Sequence, residues 1–193
     1  MYTAGAGKCF DVASAQGYGL FSGPEDRRLS PLGTNVARHT LMRDIMVANG
    51  DAGKPIWLAE ANWNALPPAN TGIAGYGNFG IVTQEEQARY VPQLYARARR
   101  DWPWVGAIAV WFFKPASDAD KNQAVYYFRM LEPDFTPLPV YDAVAEYATA
   151  GTSPAPMPGW QYTWMSARPM LFLFGAAVLF MALLRFLAPT THE

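Results

Sequence analysis

The residues best placed for chemistry lie in Lys54-Pro55-Ile56-Trp57-Leu58-Ala59-Glu60-Ala61-Asn62-Trp63-Asn64, where a carboxylate follows a continuous apolar run. Such a run fits a parallel strand covered on both faces. In parallel barrels the C-terminal strand ends carry the active site, because the βα loops converge there. A carboxylate at that point can attack an anomeric carbon and form a glycosyl-enzyme intermediate, or it can simply cap the following loop. Two further stretches bear on the choice. Asp11-Val12-Ala13-Ser14-Ala15-Gln16-Gly17-Tyr18-Gly19 brings Gln16 and Tyr18 to a strand end. A tyrosine hydroxyl there could hydrogen-bond the carboxylate and hold it ionised and aimed. Trp111 lies near the end of the apolar run Val105 to Phe113, where an indole could stack on a sugar ring. Tyr18 also suits a turn, and Trp111 also suits a core.

These positions need elements to hold them. Phe10 to Ala15 reads as a first strand, ended by Gly17 and Gly19. Val36 to Asn49 reads as a helix whose apolar positions Leu41, Ile45 and Ala48 recur at helical spacing, with Gly50 as its stop. Pro55 to Ala59 is the second strand, and a glycine- and asparagine-rich loop follows from Asn62 to Val82. Thr83 with Glu86 three residues on forms a capping box. The helix it opens runs to about Asp101, with Ala88, Val91, Leu94, Tyr95 and Ala98 on one side and a kink expected at Pro92. Val105 to Phe113 is the third strand, and a last helix spans about Val140 to Ala148. Alternating strands and helices predict βαβ units and a parallel sheet. Three units cannot close a barrel, which takes ~250 residues. Their sheet edges need cover from another chain segment, unless the sheet is unusually small.

Composition excludes several classes. Fifteen basic and 16 acidic residues give a net charge of -1, with no basic stripe of the kind nucleic acid requires. The single Cys9 rules out an intramolecular disulfide and a cysteine-based zinc site, and His39 and His192 are too few and too far apart for a metal centre. No cofactor is expected. Gly151 to Ser166 contains Pro154, Pro156 and Pro158 and reads as an extended linker. Pro169 to Leu184 holds 16 residues without a charge, ~24 Å as a helix. Snorkelling of Arg185 and the apolar Phe186 to Ala188 extend it to a membrane span, with Trp160, Tyr162 and Trp164 placed for the headgroup layer. The expected organisation is a globular part at 1–150, a linker at 151–166, a transmembrane helix at 167–188 in contact with lipid, and a tail at 189–193. A buried core helix is the alternative for the apolar stretch. Arg168 and Arg185 flank it one to a side, so charge does not orient it.

Together, the order of strand ends, Pro-Ile-Trp-Leu-Ala-Glu-Ala-Asn-Trp, the helix bearing Glu85-Glu86-Gln87-Ala88-Arg89-Tyr90, and Val110-Trp111-Phe112-Phe113 resemble the last third of clan A glycoside hydrolases. These are the cellulase-like and β-xylosidase-like barrels, and the resemblance covers residues 1 to 148. It implies an α/β fold, a partial (β/α)8 barrel of about the last three β/α units. In that family the sixth strand often ends in His-x-Tyr, the seventh carries the nucleophilic Glu and the eighth a sugar-stacking Trp. Tyr18, Glu60 and Trp111 match those positions, and Gln16 stands where the histidine often sits. The resemblance makes Glu60 the nucleophile, Tyr18 its orienting partner, and Gln16, Asn62, Trp63 and Trp111 contacts to an oligo- or polysaccharide.

One departure stands against it. The family's acid/base is a Glu after an Asn at the fourth strand, and no Asn-Glu pair occurs here. Retaining hydrolysis needs two carboxyl groups ~5 Å apart. Glu85, Glu86, Glu132 and Glu146 fall in or beside predicted helices, and Glu25 in a loop. Met1 to Ala6 resembles the end of a fifth helix, and Met1 to Lys8 holds no apolar h-region of a signal peptide, so a truncated product, a misplaced start codon or a split gene is expected. Two functions follow: the C-terminal portion of a membrane-anchored retaining hydrolase of β-linked glycans, inactive alone, its globular part extracytoplasmic given an upstream signal peptide; or a non-catalytic single-span protein whose barrel remnant binds sugar or protein.

Overall fold

Three short strands set the frame. The computed structural model describes residues 1–29, 33–68 and 72–150. Strand β1 (Ala13–Gln16), β2 (Ile56–Ala61) and β3 (Val105–Val110) form one sheet in the order β1-β2-β3, both pairings parallel. Helix α1 (His39–Ala48) connects β1 to β2, α2 (Gln84–Asp101) connects β2 to β3, and α3 (Pro139–Ala150) packs against α2. This is the βαβαβ order expected of a mixed α/β chain built on parallel strands. The linker, span and tail expected at 151–193 lie outside the described residues. Among the described residues no helix is long and apolar enough to cross a membrane.

The strand bounds differ from the apolar runs, and β2 runs two residues past Ala59 to Ala61. β1 begins at Ala13 rather than Phe10, and β3 ends at Val110 rather than Phe113. Ile56 and Leu58 are fully buried on the helix side, whereas Trp57 and Ala59 face the other way and are exposed. Strict alternation would put Glu60 beside Ile56 and Leu58, under the helices. Instead β2 carries an extra residue there. Its register slips by one against β1, where Ala15 and Gln16 oppose Leu58 and Glu60, and again against β3, where Ile108 and Val110 oppose Leu58 and Ala61. Ala61 takes the buried position, and Glu60 turns to the open face. Bulges re-aim side chains in this manner.

The helices place their core faces partly as expected. The Thr83 capping box is present, with Glu86 N–H donating to Thr83 Oγ1 (3.1 Å) and Thr83 N–H to Glu86 Oε2 (2.9 Å). Val91, Leu94 and Ala98 are buried along α2, and Pro92 lies inside it. Tyr95 stacks on Tyr147 of α3. Helix α1 differs. Ile45 is 57% exposed, and the core face is His39, Met42 and Met46 instead of Leu41, Ile45 and Ala48. Both sets obey a 3.6-residue period. The helix is apolar on two sides, and the side bearing Met46 is the one that joins the main core.

Ion pairs tie the β1–α1 connection to α2. Arg100 donates to both oxygens of Glu25 (3.0 and 2.7 Å). Arg97, itself buried, donates to the carbonyls of Pro24 and Asp26 and lies over the Trp102 ring. Burial pushes the Asp26 carboxyl upward, but the side chain and amide of Arg28 outweigh it and hold it at about 2. His39 sits edge-on to Trp102, its Nδ1 2.9 Å from the Val36 carbonyl, and its Nε2 has no partner among the described residues. Burial, with the charge of Arg97 acting in the same direction, lowers its pKa to about 4.

Two stability measurements test this packing. Met46→Ala should lower unfolding free energy by about 2–5 kcal/mol, whereas Ile45→Ala should change it by about 0.5 kcal/mol or less; denaturant titrations giving the reverse order would show that α1 is rotated otherwise. His39, depressed in the folded chain, leaves the unfolded chain binding more protons between its ordinary pKa of 6.5 and about 4. Stability should therefore fall as pH drops through that window, by about 3 kcal/mol in all. A flat profile there would contradict the burial of a neutral imidazole.

Candidate active site at the open strand ends

Glu60 projects from the bulged end of β2 and receives two hydrogen bonds on one oxygen. Tyr18 Oη donates to Glu60 Oε2 at 2.8 Å, and Gln16 Nε2 donates to the same atom at 3.2 Å. No donor among the described residues engages Oε1. The arrangement leaves one carboxylate oxygen anchored and the other open. Burial, followed by the hydrogen bond to Glu60 and its negative charge, raises the Tyr18 pKa well above that of an ordinary phenol. Tyr18 thus stays a donor at every physiological pH.

Around these groups lies a cleft of about 340 Å³ lined by Gln16, Tyr18, Leu20, Thr34, Glu60, Phe79, Trp111, Val125 and Phe128. Phe128 is its buried hub. The rings of Tyr18 and Trp111 each pack edge-on against it with centroids 5.3 Å away, and Phe79 does so at 6.1 Å. Edge-to-face contacts at these distances restrict ring orientation, so the aromatic cluster fixes the direction from which Tyr18 reaches Glu60. A larger groove of about 620 Å³, bordered by Leu66, Pro67, Ile81, Glu85 and Tyr127 at the start of α2, contains no strand-end side chain.

Four of the six expected site residues meet in the cleft: Gln16, Tyr18, Glu60 and Trp111. The other two do not. Asn62 and Trp63, expected to contact sugar, are fully buried and line no part of it. Asn62 donates from Nδ2 to the carbonyls of Trp111 and Phe128, both at 2.7 Å, and its Oδ1 accepts from the Trp63 amide and from Gln87 Nε2. It clamps the ends of β2 and β3 to the 3-10 turn Ala124–Phe128. Trp63 donates from Nε1 to the Ser22 carbonyl at 2.6 Å and packs on Tyr90. A Cβ on Gly19 would lie 1.9 Å from that same nitrogen. Trp63 thus fixes the loop that carries Tyr18. Their polar groups are engaged by framework, which is why neither is free for a ligand.

Leu20, Thr34, Phe79, Val125 and Phe128 were not legible as site residues. Each lies in a loop or 3-10 turn without a periodic pattern, and only the glycine density around Phe79 marks its loop as special. Among the described residues Glu60 is the only carboxylate lining the cleft. Glu25 is bound to Arg100 and Glu132 to Arg129, and Glu85, Glu86 and Glu146 lie on helices. No group of three His, Cys, Asp or Glu side chains among the described residues could hold a metal ion.

No family model matches the chain, and no curated protein does. Solved structures do. A family 39 glycoside hydrolase from the gut symbiont Bacteroides cellulosilyticus WH2 is similar at a TM-score of 0.51 and 23% identity, over 74% of this chain and 28% of that one. A β-glucuronidase from Faecalibacterium prausnitzii aligns at a TM-score of 0.44 and 16% identity, over 77% of this chain and 23% of that one. The chain therefore spans under a third of the length of either enzyme. The first likeness shows that its three parallel strands and their helices share the fold of part of a glycoside hydrolase, consistent with a partial (β/α)8 barrel.

Proposed function

We propose that this chain supplies the nucleophile side of a retaining glycoside hydrolase site for β-linked glycans. One observation carries the reading: Glu60, at the end of a parallel strand, lines an aromatic cleft with its Oε2 held by Tyr18 and Gln16 and no donor among the described residues on its Oε1. Oε1 would attack the anomeric carbon, forming a glycosyl ester while the glycosidic C–O bond breaks and its electron pair leaves on the departing oxygen. With a natural glycan that oxygen must take a proton from a carboxylic acid on the opposite side, ~5 Å from Glu60. Trp111 offers its ring to the sugar.

The acid would come from a segment that docks on the sheet. Trp57 is 50% exposed and Ala59, Ala107 and Ala109 are exposed on the open face, and the outer edges of β1 and β3 pair with no strand among the described residues. Parallel sheets are ordinarily covered on both faces, which favours further strands over solvent as the neighbour of this face. Residues 167–188 would anchor the protein in a membrane, with the globular part on the extracytoplasmic side. Their uncharged stretch from Pro169 to Leu184 supports that anchor.

A substrate with an acidic leaving group separates the two halves of the reaction. 2,4-Dinitrophenolate departs without a proton, so Glu60 alone suffices for the first step. Mixed with 2,4-dinitrophenyl β-glycosides of glucose, xylose and glucuronic acid, the chain should release a burst of about one equivalent of dinitrophenolate from at least one of them, then turn over slowly. Glu60→Ala should remove the burst. Tyr18→Phe should slow it about 10- to 100-fold, the value of one hydrogen bond to a charged group. A burst that survives in Glu60→Ala would end the assignment.

A further inference from the structure

Resting on the reading of Glu60 as nucleophile, we infer that a second cavity beside the cleft is a subsite for a neutral sugar linked to the one at Glu60. It measures about 270 Å³, and its walls include Phe21, Ser22, Asp26, Arg28, Thr34 and Asn35. Thr34 lines the cleft as well, and the cleft's Leu20 directly precedes Phe21 in the chain, so the two cavities adjoin. The volume falls just under the range of drug-sized sites, room for one ring.

Two features suit this cavity to a sugar. Phe21 is 70% exposed. A lone exposed ring is ordinary on a protein surface, but this one forms part of a concave wall, where the C–H face of a pyranose would cover it and release its water. Arg28 supplies the polar counterpart. Its Nε and Nη2 donate to the two carboxylate oxygens of Asp26 at 2.9 and 2.7 Å, and its amide donates to Oδ1 at 3.0 Å. Asn35 Nδ2 donates to the Arg28 carbonyl at 2.7 Å. The guanidinium plane is thereby fixed before any ligand arrives, while Nη1 has no acceptor among the described residues and the side chain stays 63% exposed. A donor already held in place binds at lower cost than one that must first be ordered. Thr34 Oγ1 accepts from Arg38, and Ser22 Oγ donates to the Gly19 carbonyl. The first hydroxyl thus keeps a proton to donate, and the second keeps lone pairs to accept. Asp26 and Arg28 cancel in charge, so the lining suits hydroxyls rather than an anion.

Binding of matched ligands tests this without turnover. Methyl β-D-xyloside with methyl β-xylobioside, and methyl β-D-glucoside with methyl β-cellobioside, would be titrated into the full chain and followed by NMR. In at least one pair the disaccharide should bind about tenfold more tightly than its monosaccharide, as one covered ring face and one hydrogen bond would give. Phe21→Ala and, independently, Arg28→Lys, which keeps a cation for Asp26 but removes the fixed Nη1 donor, should each erase most of that gain. Both should leave monosaccharide binding and the dinitrophenolate burst unchanged. Inorganic sulfate should not displace the disaccharide. Equal affinity within both pairs, a gain untouched by both substitutions, or displacement by sulfate would overturn the inference and leave the nucleophile assignment standing. No binding of any of the four glycosides would overturn the sugar reading of the cleft and this inference with it.

Discussion

The site depends on one extra residue in β2. A pleated strand sends alternate side chains to opposite faces, and by that count Glu60 belongs with Ile56 and Leu58 beneath the helices. A carboxylate placed there would lie among α2 side chains, where an ionised group without partners is strongly disfavoured. The register slip seen against both β1 and β3 moves Ala61 into that buried position and turns Glu60 to the open face. The same slip brings Gln16 level with Glu60, so the strand irregularity and the first hydrogen bond to the carboxylate arise together.

Holding the bulge requires a framework, and Asn62 and Trp63 provide it. They follow Glu60 closely in the chain, and both are fully buried. Asn62 satisfies both its donors and its acceptor oxygen, binding two carbonyls of the β3–α3 connection and the Trp63 amide, and Trp63 pins the turn after Tyr18. Breaking either would leave buried polar groups unpaired. The arrangement divides labour along one short segment: Glu60 faces the cleft, and the residues after it set the positions of the groups that meet it there.

Much of this was readable from residues alone. Continuous apolar runs at Ile56 to Ala59 and Val105 to Val110 require burial on a sheet, the Thr83–Glu86 pair requires a helix start, and their order leaves a parallel sheet with Glu60, Tyr18, Gln16 and Trp111 at one end. What escaped has physical causes. Counting alternation cannot reveal a bulge, because the extra residue is set by how both neighbouring strands pair. The face of α1 differs from the expected one because Leu41–Ile45 and Met42–Met46 satisfy the same period and only packing into the main core chooses between them. Asn62 and Trp63 look like sugar contacts by type and location; the one local clue to their true place was Gly19, which leaves room for the indole. Phe79, Val125 and Phe128 came from connections with no period at all, and only the fold brings them together.

The most direct measurement is where a trapped sugar attaches. The chain would be incubated with 2,4-dinitrophenyl 2-deoxy-2-fluoro-β-glycosides, whose fluorine slows breakdown of a glycosyl ester, then digested and mapped by mass spectrometry. The expected result is one fluoroglycosyl group per chain, on Glu60. Attachment to any other residue, or dinitrophenolate release with Glu60 unmodified, would contradict a carboxylate turned outward by the β2 bulge and open at Oε1.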